Sequence, residues 1–372
     1  MVRARGAGSG RLPVLGAACC NPGVGHGKGL PYNALSNAVR DFLLLAKEEA
    51  ILFITNGDSA AGRLRASGLA GEILPWRDVL HEGPVPGGLS LEELAGVRAR
   101  FLAQRGWTTL EKARRDFAGR NATLAGYGDH EEVVLFFEHD FYDQLQLIQV
   151  LDWFSGRDLD GTRLSIVQTD EYLGMLGPER LRTLFRERRE TTAEQLDLGS
   201  AAWEAFCSPD PTAVLGTIEA GTWTLPFLAP ALRRHLEQFP STANGLSRSE
   251  EQALEAIADG RSTPGEAFAA HQEREEPVFL SDAVFASYLK DLSEAREPLV
   301  LLEGGGAIGD PVREDLWNQQ IVLTEKGRGV LSGDEDRVRL IGIDRWLGGV
   351  HLGGETTWRW DRSTRTLKRD AA

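Results

Sequence analysis

The chain has 372 residues, 42% hydrophobic and 26% charged, an ordinary globular composition long enough for two compact domains. Its formal net charge of -14 argues against a protein whose main task is to coat nucleic acid, because neutralising phosphates needs a surplus of Lys and Arg on some face. The three cysteines, Cys19, Cys20 and Cys207, form no C-x-x-C pair, so neither a disulfide framework nor a Cys-rich zinc site is indicated, and a reducing cytoplasm is the expected setting.

No apolar run approaches the roughly 20 residues that span a bilayer. The basic start, MVRARGAGSG, lacks the apolar core of a secretory signal, so no membrane association is expected. Residues 1–48 have little periodicity and many glycines, which reads as a flexible extension or an upstream start included in the reading frame. Within them GVGHGKGL (Gly23 to Leu30) approaches a phosphate-binding loop, but Pro22 stands where Gly is needed and Gly29 where Ser or Thr is needed, and no strand precedes it.

The order from residue 49 to 176 predicts an α/β domain. Ala50 to Ile54 is a short apolar strand, and Asp58 or Ser59 can cap the helix that follows, with Gly68 ending it. Glu72-Ile73-Leu74 is a second strand, so the unit is βαβ and its strands are parallel. PWRDVLHEGPVP (Pro75 to Pro86) ends too rich in proline for a helix and reads as a structured loop. Residues 89–126 have helical spacing, with Ser90 a cap.

The chain is organised around residues 132–154. The β-branched and aromatic run Val133 to Phe137 suits a buried strand and stops at Glu138-His139-Asp140. Phe141 to Phe154 then has helical spacing with apolar residues nearly all round, the pattern of a buried helix. Leu164 to Val167 is another strand, ending in Gln168-Thr169-Asp170-Glu171.

Residues 177–245 read as a helical connection broken at Pro209, Pro211, Pro226 and Pro240. Residues 246–338 give three helices and then a hairpin, the order of a winged helix. Residues 339–372, with Trp346, Trp358 and Trp360, form a tail expected to pack as strands on the rest. The expected fold class is thus a mainly parallel, Rossmann-like sheet domain, a helical connection and a winged-helix-like domain.

The motifs NGDSAAGRLR, LPWRDVLHEGPVP, FEHDFYDQLQLIQVLDWF and GIDRWLGGVHL, in this order, resemble a bacterial family of uncharacterised proteins whose N-terminal part is known as domain of unknown function 1835. The resemblance runs from about Ile51 to the tail. It implies kinship and transfers no activity, substrate or cofactor. It marks Asn56, Asp58, Ser59, Trp76, Arg77, Asp78, His81, Glu82, Glu138, His139, Asp140, Asp143, Gln144, Asp344 and Arg345.

In a parallel sheet the loops after the strands open together at the carboxyl edge, where ligands bind. Asn56 to Ser59, Arg77 to Glu82, Glu138 to Asp140 and Asp170-Glu171 occupy four such loops. Asp140 and Asp143 also fit a helix cap, as do Asp58 and Ser59, and His139 fits a simple bond to a backbone carbonyl; Glu138 and Gln144 are not needed for capping and tilt the reading toward function. If the loops converge, the acids repel unless Arg77 or a hard divalent cation such as Mg2+ lies among them.

The leading expectation is therefore an intracellular, metal-assisted hydrolase or transferase for a phosphorylated or nucleotide substrate. His139, Asp140, His81, Asp58 and Glu138 are its candidate catalytic residues, Asn56, Ser59, Arg77, Asp78, Gln144 and Arg345 its candidate substrate contacts, and Asp58, Asp140 and Asp143 its candidate metal ligands.

Two alternatives stand beside it. Gly57-Asp58-Ser59 after a strand, with Asp78 and His81, fits a serine esterase, although that class places its Asp and His near the chain end. The winged-helix-like region suits a DNA- or protein-binding regulator. Its third helix, Ser281 to Ala295, carries Asp282, Asp291 and Glu294 against one Lys290, which disfavours phosphates and favours a structural or protein partner. Gly304 to Gly309 matches GxGxxG without a following helix and reads as a hairpin loop, Arg180 to Arg189 alternates with acids as a solvated helix face does, and the tail tryptophans read as core.

Overall fold

A computed structural model describes residues 50–309, 314–354 and 356–371. The expected N-terminal extension, residues 1–48, and its loop at Gly23 to Leu30 lie outside the described residues. Strand β1 (Ile51–Thr55) leads through helix α1 (Asp58–Ala66) to β2 (Glu72–Pro75). A loop containing β3 (Gly83–Pro84) and the helical pair α2 (Leu91–Gln104) and α3 (Leu110–Ala125) precede β4 (Glu132–Phe137), helix α4 (Phe141–Phe154), β5 (Arg163–Gln168), α5 (Pro178–Glu187) and the short β6 (Arg189–Glu190).

The sheet runs in the order β2-β1-β4-β5-β6, parallel throughout except for β6, which pairs antiparallel with β5 through two residues. Side chains alternate across its two faces, and this places the core. Leu52, Ile54, Val133, Leu135 and Phe137 enter a core shared with the buried α4, while Phe53, Val134 and Phe136 enter a second core with Ala60 and Leu64 of α1 and Leu181 and Leu184 of α5. The chain therefore leaves β1 for β2 on one side and β4 for β5 on the other. Neighbouring strands β1 and β4 diverge at their carboxyl ends, the topological switch point where open α/β sheets form crevices.

The loop between β2 and β3 is held by Arg98 of α2. Its guanidinium, fully buried, donates to the carbonyls of Val79 (2.7 Å) and Glu82 (2.7 Å) and pairs with the equally buried Asp78 at 2.9 Å. Gln146 of α4 fixes the Asp78 carbonyl at 2.9 Å. Asp78 is thus an ion-pair partner inside the fold.

Helices α6 (Ala193–Cys207), α7 (Thr212–Ala220) and α8 (Leu228–Leu236) make the helical connection. Next come α9 (Arg248–Ala258), α10 (Pro264–Arg274) and α11 (Asp282–Ser293), the antiparallel hairpin β7 (Val300–Leu302) and β8 (Ile321–Leu323), and short helices α12 (Glu325–Ser332) and α13 (Arg337–Ile341). Three helices and a hairpin make this region winged-helix-like, and Gly304 to Gly309 lies in its hairpin loop. Its third helix, α11, is engaged within the chain: Ser287 accepts from the Trp107 indole (3.1 Å), Asp291 pairs with Arg105 (2.9 Å), and the Tyr288 hydroxyl donates to Glu82.

The tail contributes β9 (Arg345–Gly348) and β10 (Val350–Leu352), which complete a sheet with β3, and the hairpin β11 (Thr356–Asp361) and β12 (Thr366–Ala371). Arg345 does not pair with Asp344. It donates to Glu82 (2.7 Å) and to the Tyr288 hydroxyl (2.9 Å), while Asp344 meets His351 at 2.7 Å. Glu82, Tyr288 and Arg345 thereby tie the loop, the winged-helix-like region and the tail at one buried point. Of the tail tryptophans, Trp360 is buried and Trp346 stacks on His351. Among the described residues no helix is long and apolar enough to cross a membrane.

Replacing Arg98 with Met leaves Asp78 as an unpaired buried charge and strips three loop carbonyls, those of Val79, Glu82 and Pro84, of their donor. Chemical denaturation of Arg98→Met is expected to show a loss of about 3–5 kcal/mol. Adding Asp78→Asn to that background is expected to recover part of the loss.

Candidate metal centre and cleft

The site grows from the switch point. Asn56, the first residue after β1, reaches across to the turn after β4, where its side-chain amide donates to Glu138 Oε1 (3.1 Å) and Asp143 Oδ2 (2.7 Å). Its own carbonyl oxygen accepts from the Gly57 amide at 2.6 Å, which fixes the orientation of the donor end. Asp140 caps α4, accepting from the Asp143 amide at 2.9 Å, so the expected cap is present. Asp143 accepts from the Glu138 amide (2.8 Å), Gln144 donates to the Glu138 carbonyl (2.6 Å), and the Leu173 amide donates to Glu138 Oε1 (2.8 Å). Capping and clustering are one arrangement.

Glu138, Asp140 and Asp143 are all buried, and each offers an oxygen within 4.8 Å of the others, a group able to chelate a metal ion. The donors to these three carboxyl groups, the Asn56 side-chain amide and the backbone amides of Glu138, Asp143 and Leu173, are all neutral. Burial, reinforced by the Glu138 charge, pushes the Asp140 carboxyl up to about 8. Burial and the two neighbouring carboxylates raise Asp143 well above the usual range, and burial raises Glu138. The turn holds more negative charge than its surroundings compensate.

Glu138 and Asp140 open into a cleft of about 620 Å³ that Asn56, Ser59 and His81 also line, so three of the expected loops do converge. The fourth contributes differently: Asp170 is exposed and Glu171 pairs with Arg180 at 2.6 Å, while the next residues, Tyr172 and Gly174, reach the cleft. Gly174 approaches so closely that a Cβ there would lie 2.5 Å from Ser59 Oγ. His81 is buried with neither ring nitrogen hydrogen-bonded, its ring against Phe141, Tyr142 and Phe279. Burial, with Arg98 and Arg345 adding to it, lowers its pKa to about 3, so the imidazole is neutral.

Other expected residues sit elsewhere. Asp58 does not join the acidic cluster: the helix cap position is Gly57, and Asp58 makes an exposed ion pair with Arg77 at 2.7 Å on the wall of an adjoining cavity. The acid that completes the group of three is Glu138. Because Asp58 engages Arg77, that arginine does not neutralise the cluster either. His139 does not line the cleft; its half-buried ring packs on Tyr172 and Phe227, and burial lowers its pKa. Asp78 is committed to Arg98 rather than to His81, so the hydrogen-bonded dyad of the esterase alternative is not formed. Arg345 is engaged by Glu82 and Tyr288, and Gln144 positions the Glu138 backbone.

Tyr142, Tyr172 and Phe279 line the cleft and were not expected there. Tyr142 follows the acidic turn and was legible as a neighbour, whereas Phe279 comes from the segment before α11, far along the chain. The Tyr172 hydroxyl accepts from the Val278 amide at 2.6 Å and closes that side. Comparison of the chain with protein-family models and with curated proteins finds no match.

A carboxyl whose pKa is raised by folding favours the native state at low pH, and that contribution is lost progressively as pH rises from its unfolded pKa to its folded one, above which both states are ionised and the loss is complete. In cation-free buffer the unfolding free energy is therefore expected to fall between about pH 4 and about pH 8, by up to about 1.4 kcal/mol per pH unit for one proton, and to level off above about pH 8. Thermal or urea unfolding between about pH 4.5 and 9.5 measures this, and Asp140→Asn is expected to flatten the decline below about pH 8.

Proposed function

We propose that the protein is an enzyme whose acidic turn takes a divalent cation of the Mg2+ class and whose cleft binds a phosphorylated or nucleotide substrate for hydrolysis or group transfer. The observation that carries the reading is the buried triad Glu138, Asp140 and Asp143 with no cationic side chain among its hydrogen-bond partners in the described residues, opening into a cleft at the switch point of the sheet. Hard cations take oxygen ligands, and a desolvated carboxylate group without a counter-ion is the donor set they prefer.

Asp140 and Glu138, which line the cleft, would hold the cation, while Asp143, with both oxygens engaged by Glu138 and Asn56, positions them. The cation would supply charge to a phosphoryl oxygen and acidify a bound water. Among the described residues no Lys or Arg lines the cleft, so an anionic substrate there would depend on the cation for its countercharge. Tyr142, Tyr172 and Phe279 offer aromatic surface for a planar, weakly polar group such as a base. Neutral His81 can donate to or accept from an uncharged polar atom of the substrate.

The four motifs behind the family resemblance each place a residue at or beside this region: Asn56, His81, Asp140 and Arg345. Kinship with the family of domain of unknown function 1835 is part of the same proposal. The regulator alternative is less supported, because α11 spends its Ser287, Tyr288 and Asp291 on contacts within the chain.

Titration of the full chain with Mg2+ and Mn2+ by calorimetry is expected to show saturable binding that releases protons at pH 7, strengthens as pH rises toward 8, and is lost in Asp140→Asn and Glu138→Gln. Turnover of phosphoesters or nucleotides is expected to require the cation. Absence of binding by the folded wild-type chain at pH 8 overturns the reading.

A further inference from the structure

A second polar site lies away from the acidic turn. At the end of β2, a cavity of about 290 Å³ is lined by Arg77, Arg115 and Arg120 together with Asp116, Thr123 and the end of the strand. Arg120 is only 6% exposed. Its guanidinium lies over Trp76 (4.2 Å) and Phe117 (4.6 Å), its Nε donates to Asn121 at 3.1 Å, and its Nη1 has no hydrogen-bond partner. A buried charge is ordinarily paired, because desolvation without compensation is costly.

The nearby charges do not supply that pair. Asp78 and Glu92 act on Arg120 through space, but Asp78 is bonded to Arg98 and Glu92 makes no ion pair with Arg120. Asp116 is engaged by Lys112 at 2.5 Å, and Asp58 takes Arg77. Neither Arg115 nor Arg120 makes an ion pair among the described residues. Stacking between two aromatic rings explains the plane of the Arg120 guanidinium. It leaves open why a second arginine without an acid shares its cavity in a chain whose net charge is -14.

We infer that this cavity is a binding site for a phosphate-class oxyanion, held by Arg120 from within and Arg115 from the rim. Planar guanidinium groups match the paired oxygens of such an anion, and a half-enclosed site makes each charge-assisted bond stronger than on an open surface. The inference does not rest on the acidic turn holding a cation. The anion can be inorganic phosphate or the phosphoryl end of an organic monoester.

The test titrates inorganic phosphate and phenyl phosphate into the full chain by calorimetry at low ionic strength with a chelator present, beside chloride at matched ionic strength. Saturable binding of either phosphate, weakened roughly tenfold or more in Arg115→Gln, is expected. Tighter binding of phenyl phosphate assigns the site to an organic monoester, and tighter binding of inorganic phosphate assigns it to the free ion. Arg120→Gln is expected to abolish binding in a chain whose circular dichroism is unchanged; if that variant unfolds, Arg115→Gln decides. A response to phosphate no greater than that to chloride, or unchanged in Arg115→Gln, overturns the inference. Because the chelator removes divalent cations, this result is independent of whether the acidic turn binds one.

Discussion

Three carboxyl groups forced into one desolvated turn are the constraint around which this molecule is arranged. They sit where β1 and β4 part company, and the side chain that crosses between those strands is an amide. A lysine or arginine at position 56 would pair the cluster and cancel its charge permanently. Asn56 instead fixes the positions of Glu138 and Asp143 while leaving the charge uncancelled. The backbone amides of Glu138, Asp143 and Leu173 do the same work, since each orients a carboxylate oxygen and none brings a full positive charge.

The opposite wall depends on charge that is cancelled. The loop from Trp76 to Val85 has little regular structure of its own, and it is the buried Arg98 that gives it a shape, by satisfying three of its carbonyls, those of Val79, Glu82 and Pro84, and the Asp78 carboxylate together. That loop then presents His81 to the cleft and Glu82 to Tyr288 and Arg345. The winged-helix-like region and the tail are consequently part of the scaffold of the cleft: Tyr288 and Arg345 hold the loop from behind, and Phe279 and the Val278 amide reach the cleft from the front.

Much of this was legible from local pattern. The apolar run Val133 to Phe137 is a strand because its alternate residues face two different cores, and the all-round apolar helix after it is buried as its composition requires. The acid-dense turn at Glu138 to Asp143 was visible as a turn and as a charge problem. What spacing cannot show is which distant partner a polar residue takes. Asp58 has the position of a cap or a ligand, but Arg77, 19 residues on, claims it. Asp78 lies three residues before His81, yet α2 sends Arg98 to it. Arg345 stands next to Asp344 in sequence and beside Glu82 in space. Phe279 gave no signal at all, because its place in the cleft is set by the docking of α11. The two-residue β6 was too short for any periodicity to register.

The two histidines nearest the acidic turn narrow what chemistry it can host. His139 packs outside the cleft on Tyr172 and Phe227, and His81, inside it, is kept neutral by burial over the whole physiological range. Neither is poised to exchange a proton near pH 7 from within the cleft. The group that is poised is Asp140, whose carboxyl is pushed up to about 8 because burial, and after it the Glu138 charge, oppose its ionisation. A positive charge brought to the turn reverses that opposition, so the proton and a cation compete for the same oxygen atoms. The acidic turn is then a proton-holding acid in one state and a ligand set in the other. On the proposed reading, acid–base work in the cleft would fall to its carboxyl groups, with His81 left to orient an uncharged polar atom placed against it.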